Sequence, residues 1–123
     1  QIHFNSEYAK HTPWGKTLVN SAFTIAVVTG LTVKDVSQNG FALGWERIVL
    51  PNPLFNGDTV YAETEVLDIR ASKSDERRGI VKVRTRGIQQ EGVVVIEFER
   101  SIMVWKREHA PNIGVFPEIK EPG

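Results

Sequence analysis

The sequence predicts an α+β fold in which one apolar helix is enclosed by a long, curved antiparallel sheet. Three observations lead there. Residues 17–29 (TLVNSAFTIAVVT) place apolar side chains around almost the whole circumference of a helix, the pattern of an element buried on most sides. Beyond Gly30 the apolar period changes to strict alternation, and four successive segments of about ten residues show it. Turn residues separate those segments, and strands of that length are long enough to curve around a single helix.

Residues 1–16 (QIHFNSEYAKHTPWGK) hold no sustained period of 2 or 3.6 and read as a loop, with one helical turn over Ser6 to Lys10 capped by Ser6. The main helix then runs from Thr17 to Thr29. Gly30, which tolerates the left-handed conformation, is its expected stop. Phe41 to Leu50 is the first strand; Pro51-Asn52-Pro53 ends it and Asn56-Gly57-Asp58 supplies a turn. Thr59 to Arg70 is the second strand. The polar stretch Ala71 to Gly79 (ASKSDERRG) has no core face and reads as a solvated connection.

Gly79 to Ile88 alternates cleanly, with Val81, Val83 and Thr85 on one face and Lys82, Arg84 and Arg86 on the other. Gln89 to Gly92 turns the chain into the last strand, Val93 to Lys106. Arg84 and Arg86 are expected to pair across strands with Glu97 or Glu99. Arg100 falls in phase with Ile96, Phe98, Ile102 and Val104, an inward register that demands a partner or a bulge. From Glu108 onward, Pro111, Pro117 and Pro122 cannot continue a ladder, so residues 108–123 are expected to form an extended tail.

Composition removes whole classes of function. A chain of 123 residues fits one domain. Its 15 Lys and Arg balance 15 Asp and Glu, which argues against a dedicated nucleic-acid binder. The absence of cysteine excludes disulfide scaffolds, thiol nucleophiles and Cys-containing zinc sites. His3 and His11 stand eight apart without an HExxH pattern, so no metal site is expected, and His109 attracts no role. The apolar stretch from Leu18 to Leu31 is broken by Asn20, Ser21, Thr24, Thr29 and Gly30 and falls short of the roughly 20 apolar residues of a membrane span. No leader pattern opens the sequence, and a cytoplasmic location is the expectation.

Two segments resemble the MaoC-like hydratases. The first is Ile2-His3-Phe4-Asn5 with Glu7-Tyr8-Ala9, Trp14-Gly15-Lys16 and Leu18-Val19-Asn20-Ser21. The second is Pro53-Leu54-Phe55-Asn56-Gly57-Asp58-Thr59-Val60 leading to Glu65-Val66-Leu67. The resemblance extends over residues 1–107 and implies a hot-dog fold whose protomers join sheets edge to edge, as a homodimer or an oligomer of dimers. It implies reversible hydration of a 2-enoyl-coenzyme A thioester, with no cofactor beyond the coenzyme A of the substrate itself. The wording Leu18-Val19-Asn20-Ser21 and Val33-Lys34-Asp35-Val36-Ser37 is most similar to hydratases of mesaconyl-CoA or itaconyl-CoA. Departures are specific. His3 takes the place of the family histidine, Gln1 that of a proline, Asn5 that of a second aspartate, and Asn20-Ser21 that of His-Gly. On this alignment the catalytic acid and the strand preceding it fall ahead of Gln1.

Hydration of an enoyl thioester needs a base for water, an acid for the α-carbon and donors for the thioester oxygen as it gains enolate charge. His3 suits the first task because imidazole titrates near neutrality. The resemblance assigns the donors to Asn20 and Ser21, at a helix start where N–H groups lack internal partners. Phe4, Trp14, Gly15, Lys16, Thr17 and Leu18 are the expected pocket residues. Plainer readings stand beside these: a surface histidine, backbone-satisfying polar residues and core aromatics. A hot-dog thioesterase would want a carboxylate along the helix, and residues 17–30 contain none. A non-catalytic hot-dog subunit or an acyl-CoA-binding partner is the remaining alternative.

Overall fold

Four strands form one antiparallel sheet: β1 (Phe41–Val49), β2 (Val60–Ala71), β3 (Arg78–Gln89) and β4 (Val94–Trp105), in the order β1-β4-β3-β2. Each strand lies within one residue of the bounds that alternation predicts. This computed structural model describes residues 1–37, 40–110 and 120–122. The helices are α1 (Ser6–Ala9) and α2 (Ser21–Leu31), followed by a π-helical turn, Val33–Ser37. A 3-10 turn, Arg107–His109, follows β4, and most of the expected extended tail lies outside the described residues.

The pairing register decides which side chains meet α2. Val83, Thr85 and Gly87 of β3 stand opposite Arg100, Phe98 and Ile96 of β4, and all of them face the helix side. Val28 of α2 packs there with Leu54, Val95, Ile96 and Phe98 as the core. Burying side chains of this kind stabilises the fold by about 1.5–3 kcal/mol each. The helix comes closest at Gly87, where a Cβ would sit 2.7 Å from methyl carbons of both Val28 and Ile96.

Three local expectations are corrected. The N-cap of α1 is Asn5, not Ser6: its side-chain oxygen accepts from the Tyr8 N–H at 3.1 Å. Helix α2 begins at Ser21 rather than Thr17, because the preceding residues pair with the β1–β2 connection. The Val19 N–H donates to the Leu54 carbonyl at 2.8 Å, and the Asn56 N–H to the Thr17 carbonyl at 3.2 Å. Gly30 lies inside the helix without a left-handed φ, and Thr32 is the C-terminal residue of the cap. The Thr32 hydroxyl donates to the Thr29 carbonyl at 2.7 Å, which serves one of the terminal carbonyls that a glycine cap would otherwise reach.

The helix is also less enclosed than its composition predicts. Only Thr24 and Val28 are buried, while Phe23 is 62% and Leu31 50% exposed. Four strands cover one side of an element that is apolar all round.

Opposite α2, the sheet carries an ion-pair lattice. Arg86 bonds Glu97 at 2.9 Å, and Arg84 bonds Glu99 at 3.0 Å, the cross-strand pairing expected of them. Lys82 and Arg47 approach Glu99 at 3.9 and 3.8 Å. Arg100, by contrast, is buried on the helix side. It donates to the Thr32 hydroxyl at the C-terminal end of α2 and lies 5.5 Å from the Trp45 ring and 6.0 Å from that of Phe98. The helix dipole and two aromatic faces thus meet a cation that has no carboxylate partner among the described residues.

Candidate active site

The N-terminal loop is held against the start of α2 by Leu18. The Leu18 N–H donates to the Ile2 carbonyl at 3.0 Å, and the Leu18 carbonyl lies 2.9 Å from His3 Nδ1. A carbonyl can only accept, so this bond places the proton on Nδ1. Nε2 is then the basic nitrogen of the neutral ring. The ring is exposed at the surface. Asn5 and Gln1 brace the loop, with Asn5 Nδ2 donating to Gln1 Oε1 at 2.8 Å.

Asn20 caps α2. Its Oδ1 accepts from the Ala22 N–H at 2.8 Å, and its carbonyl accepts from the Thr24 N–H at 3.1 Å. The Ser21 N–H has no acceptor among the described residues, so it remains available at the positive end of the helix. Two residues before the cap, Leu18 bonds the histidine. Imidazole and helix mouth are thereby joined through one short run of backbone.

A cavity of about 270 Å³ opens beside them, lined by Trp14, Leu18, Val19, Ser21, Thr24 and Val95 and by residues 50–54. Of the residues expected at the site, Ser21, Trp14 and Leu18 line it. His3 is not a lining residue but is bonded to one. Asn20 stands at the helix start as cap. Phe4, Gly15, Lys16 and Thr17 do not line this cavity: Phe4 is exposed, Gly15 takes a turn with φ +67°, Lys16 lies 4.3 Å over the Phe55 ring, and Thr17 pairs with Asn56.

Two bulges supply the wall that sequence reasoning missed. Glu46 pairs with Glu99 and Val49 with Glu97, so Arg47 and Ile48 together oppose Phe98, with Arg47 at φ +53°. Strict alternation would send Arg47 inward and Leu50 outward. The extra residue reverses both: Arg47 reaches Glu99 on the outer face and Leu50 lines the cavity. On β4, Gly87 pairs with Ile96 but Ile88 with Val94, which leaves Val95 as an inserted residue, buried beside Ile96. Asn52 Nδ2 donates to the Val94 carbonyl at 2.8 Å and pins the Pro51–Pro53 turn across the opening. The one sequence signal for this wall is a proline turn flanked by leucines at both ends.

The second motif of the resemblance acts as a latch. Gly57 adopts φ +94°, and the Asp58 carboxylate accepts from the Phe55 N–H and from Gln90 Nε2, both at 2.9 Å. Gln90 and the Phe55 N–H hold the Asp58 carboxyl below its ordinary range. Among the described residues no three His, Asp or Glu side chains converge as a metal site.

The family profile for mesaconyl-CoA hydratase matches residues 1–116. The chain belongs to the mesaconyl-CoA hydratase family. A mesaconyl-CoA hydratase from Cereibacter sphaeroides is 36% identical over 107 residues, which cover 86% of this chain and 31% of that protein. The chain thus spans about a third of the curated relatives it matches. Among solved structures, a MaoC-like dehydratase from Rhodospirillum rubrum superposes with a TM-score of 0.76 at 31% identity, covering 86% of this chain and 74% of that one. A Mycobacterium tuberculosis protein with a double hot-dog fold gives a TM-score of 0.76 at 20% identity, over 96% of this chain and 36% of that one. The MaoC-like resemblance and the hot-dog fold expected from the sequence of this family member both hold.

Proposed function

We propose that this chain carries the hydration site of a 2-enoyl-CoA hydratase acting on a short, branched dicarboxylyl thioester such as mesaconyl-CoA. The observation that carries the reading is the bond from His3 Nδ1–H to the Leu18 carbonyl, three residues before the unpaired Ser21 N–H. His3 Nε2 takes a proton from water as the oxygen adds to the β-carbon. The Ser21 N–H, with the Asn20 side chain beside it, stabilises the thioester oxygen as the α-carbon gains electron density. The resemblance to the MaoC-like hydratases assigns the proton for the α-carbon to an acidic residue that is not among these 123 residues. The named relatives support the same chemistry.

The reaction in this form needs no metal or redox cofactor, and coenzyme A enters as part of the substrate. A neutral chain suits such a ligand rather than nucleic acid, and a cytoplasmic setting is where acyl-CoA metabolism would use it. No described helix is long and apolar enough to cross a membrane. A second hot-dog unit, in a homodimer or within a larger assembly, is the proposed protein partner.

Mixing the purified protein with mesaconyl-CoA or crotonyl-CoA tests the reading. The conjugated enoyl absorbance should fall, and His3→Ala should slow the fall by about 10²- to 10⁴-fold. Turnover undiminished in His3→Ala would remove His3 from the reaction. Inactivity that is relieved only by adding a second subunit would favour the non-catalytic reading.

A further inference from the structure

Two cavities meet at the start of α2. One is the candidate acyl site of about 270 Å³ described above. The other, of about 380 Å³, runs along the exposed flank of the helix past Phe23, Val27 and Leu31 to Phe55 and Val60. Val19, Thr24 and Leu54 line both. They form a wall with open space on either side. Thr24 and Leu54 are buried, and Leu54 packs within the core group of Val28, Val95, Ile96 and Phe98.

That wall is anchored through its backbone. Val19 N–H donates to the Leu54 carbonyl at 2.8 Å, the Asn56 N–H to the Thr17 carbonyl at 3.2 Å, and the Thr24 hydroxyl to the Asn20 carbonyl at 3.3 Å. These bonds fix the backbone that carries the wall. The second cavity is lined mainly by aliphatic and aromatic side chains and by no lysine or arginine. Its one carboxylate, Asp58, is already committed to Phe55 and Gln90. Such a lining fits an alkyl chain rather than a charged group.

We propose that Leu54, backed by Val19 and Thr24, is the stop that confines the acyl group to the first cavity, and that the second is a latent subsite for a medium-length aliphatic acyl chain. This rests on the thioester reading above and adds a structural cause for a short-acyl preference. Truncating the wall joins the two spaces.

Calorimetric titration of the whole chain with butyryl-CoA and decanoyl-CoA, saturated thioesters that cannot be hydrated, tests it in the wild type, Leu54→Ala and Val19→Ala. Circular dichroism reports folding, and Val19→Ala serves if the Leu54 truncation does not fold. The ratio of decanoyl to butyryl affinity should rise about tenfold or more in the truncated proteins. A ratio unchanged in the folded variants overturns the proposal while leaving the thioester reading intact. Binding of neither thioester by the wild type overturns both.

Discussion

The buried guanidinium of Arg100 donates to the hydroxyl of Thr32, 68 residues away in sequence, and so ties the C-terminal end of α2 to the middle of β4. Burial pushes the Arg100 pKa down, yet the group stays charged because arginine titrates so far above neutrality. The hydroxyl is therefore worth more than its size indicates. Thr32→Val keeps the shape, leaves the cation short of an acceptor and should cost about 1–3 kcal/mol. Arg100→Met removes the charge itself and should prove the less damaging change. Urea unfolding ranks the two, and the reverse order would show that Thr32 contributes little.

At the helix start, stability and catalysis should separate. Asn20→Asp retains an N-cap acceptor and adds negative charge at the positive helix end, for a gain of about 0.3–1 kcal/mol. The same charge opposes an oxygen gaining electrons beside the Ser21 N–H. Thermal unfolding should move up while kcat on an enoyl-CoA falls. A variant that gains or loses both together would show that the helix mouth takes no part in the chemistry.

Gly87→Ala should lift α2 from the sheet. The new Cβ would meet stiff, β-branched methyl groups of Val28 and Ile96 at 2.7 Å, an overpacking that costs about 1–3 kcal/mol. Val28→Ala makes room, so the double variant should be more stable than the two single losses added together predict. Strictly additive losses would contradict this contact.

Acid should weaken the fold through two carboxylates. The Arg86 hydrogen bond holds Glu97 below its ordinary range, and Gln90 with the Phe55 N–H does the same for Asp58. A folded-state pKa below the unfolded one gives stability that is present above the unfolded value and is lost as pH falls through the folded one. The loss should therefore begin below about pH 4.5. Glu97→Gln and Asp58→Asn should each lower stability at neutral pH and flatten its decline in acid. Urea midpoints measured against pH check this, and an unaltered slope would count against both pairs.

The strands were legible because alternation is local and the sheet preserves it, to within one residue at every end. Arg100's inward phase was legible too, but Thr32 was not, since nothing along the chain announces a contact across 68 residues. The helix start was misread because Thr17 to Val19 have helical company but sheet-like partners in Leu54 to Asn56. Leu50 and Val95 were missed as wall residues for a related reason. Each owes its direction to an inserted residue, and a bulge shifts phase without any mark in the apolar pattern.

The sheet order has a consequence for how the molecule assembles. Phe41 finds its neighbour in Met103, so β1 waits for β4, the last of these four strands to be made. Closing so large a loop is slow and costly in chain entropy, whereas β2, β3 and β4 zip as successive hairpins. Leu50 can take its place only after β1 has docked on β4, so the cavity at the start of α2 closes late in the assembly of this sheet.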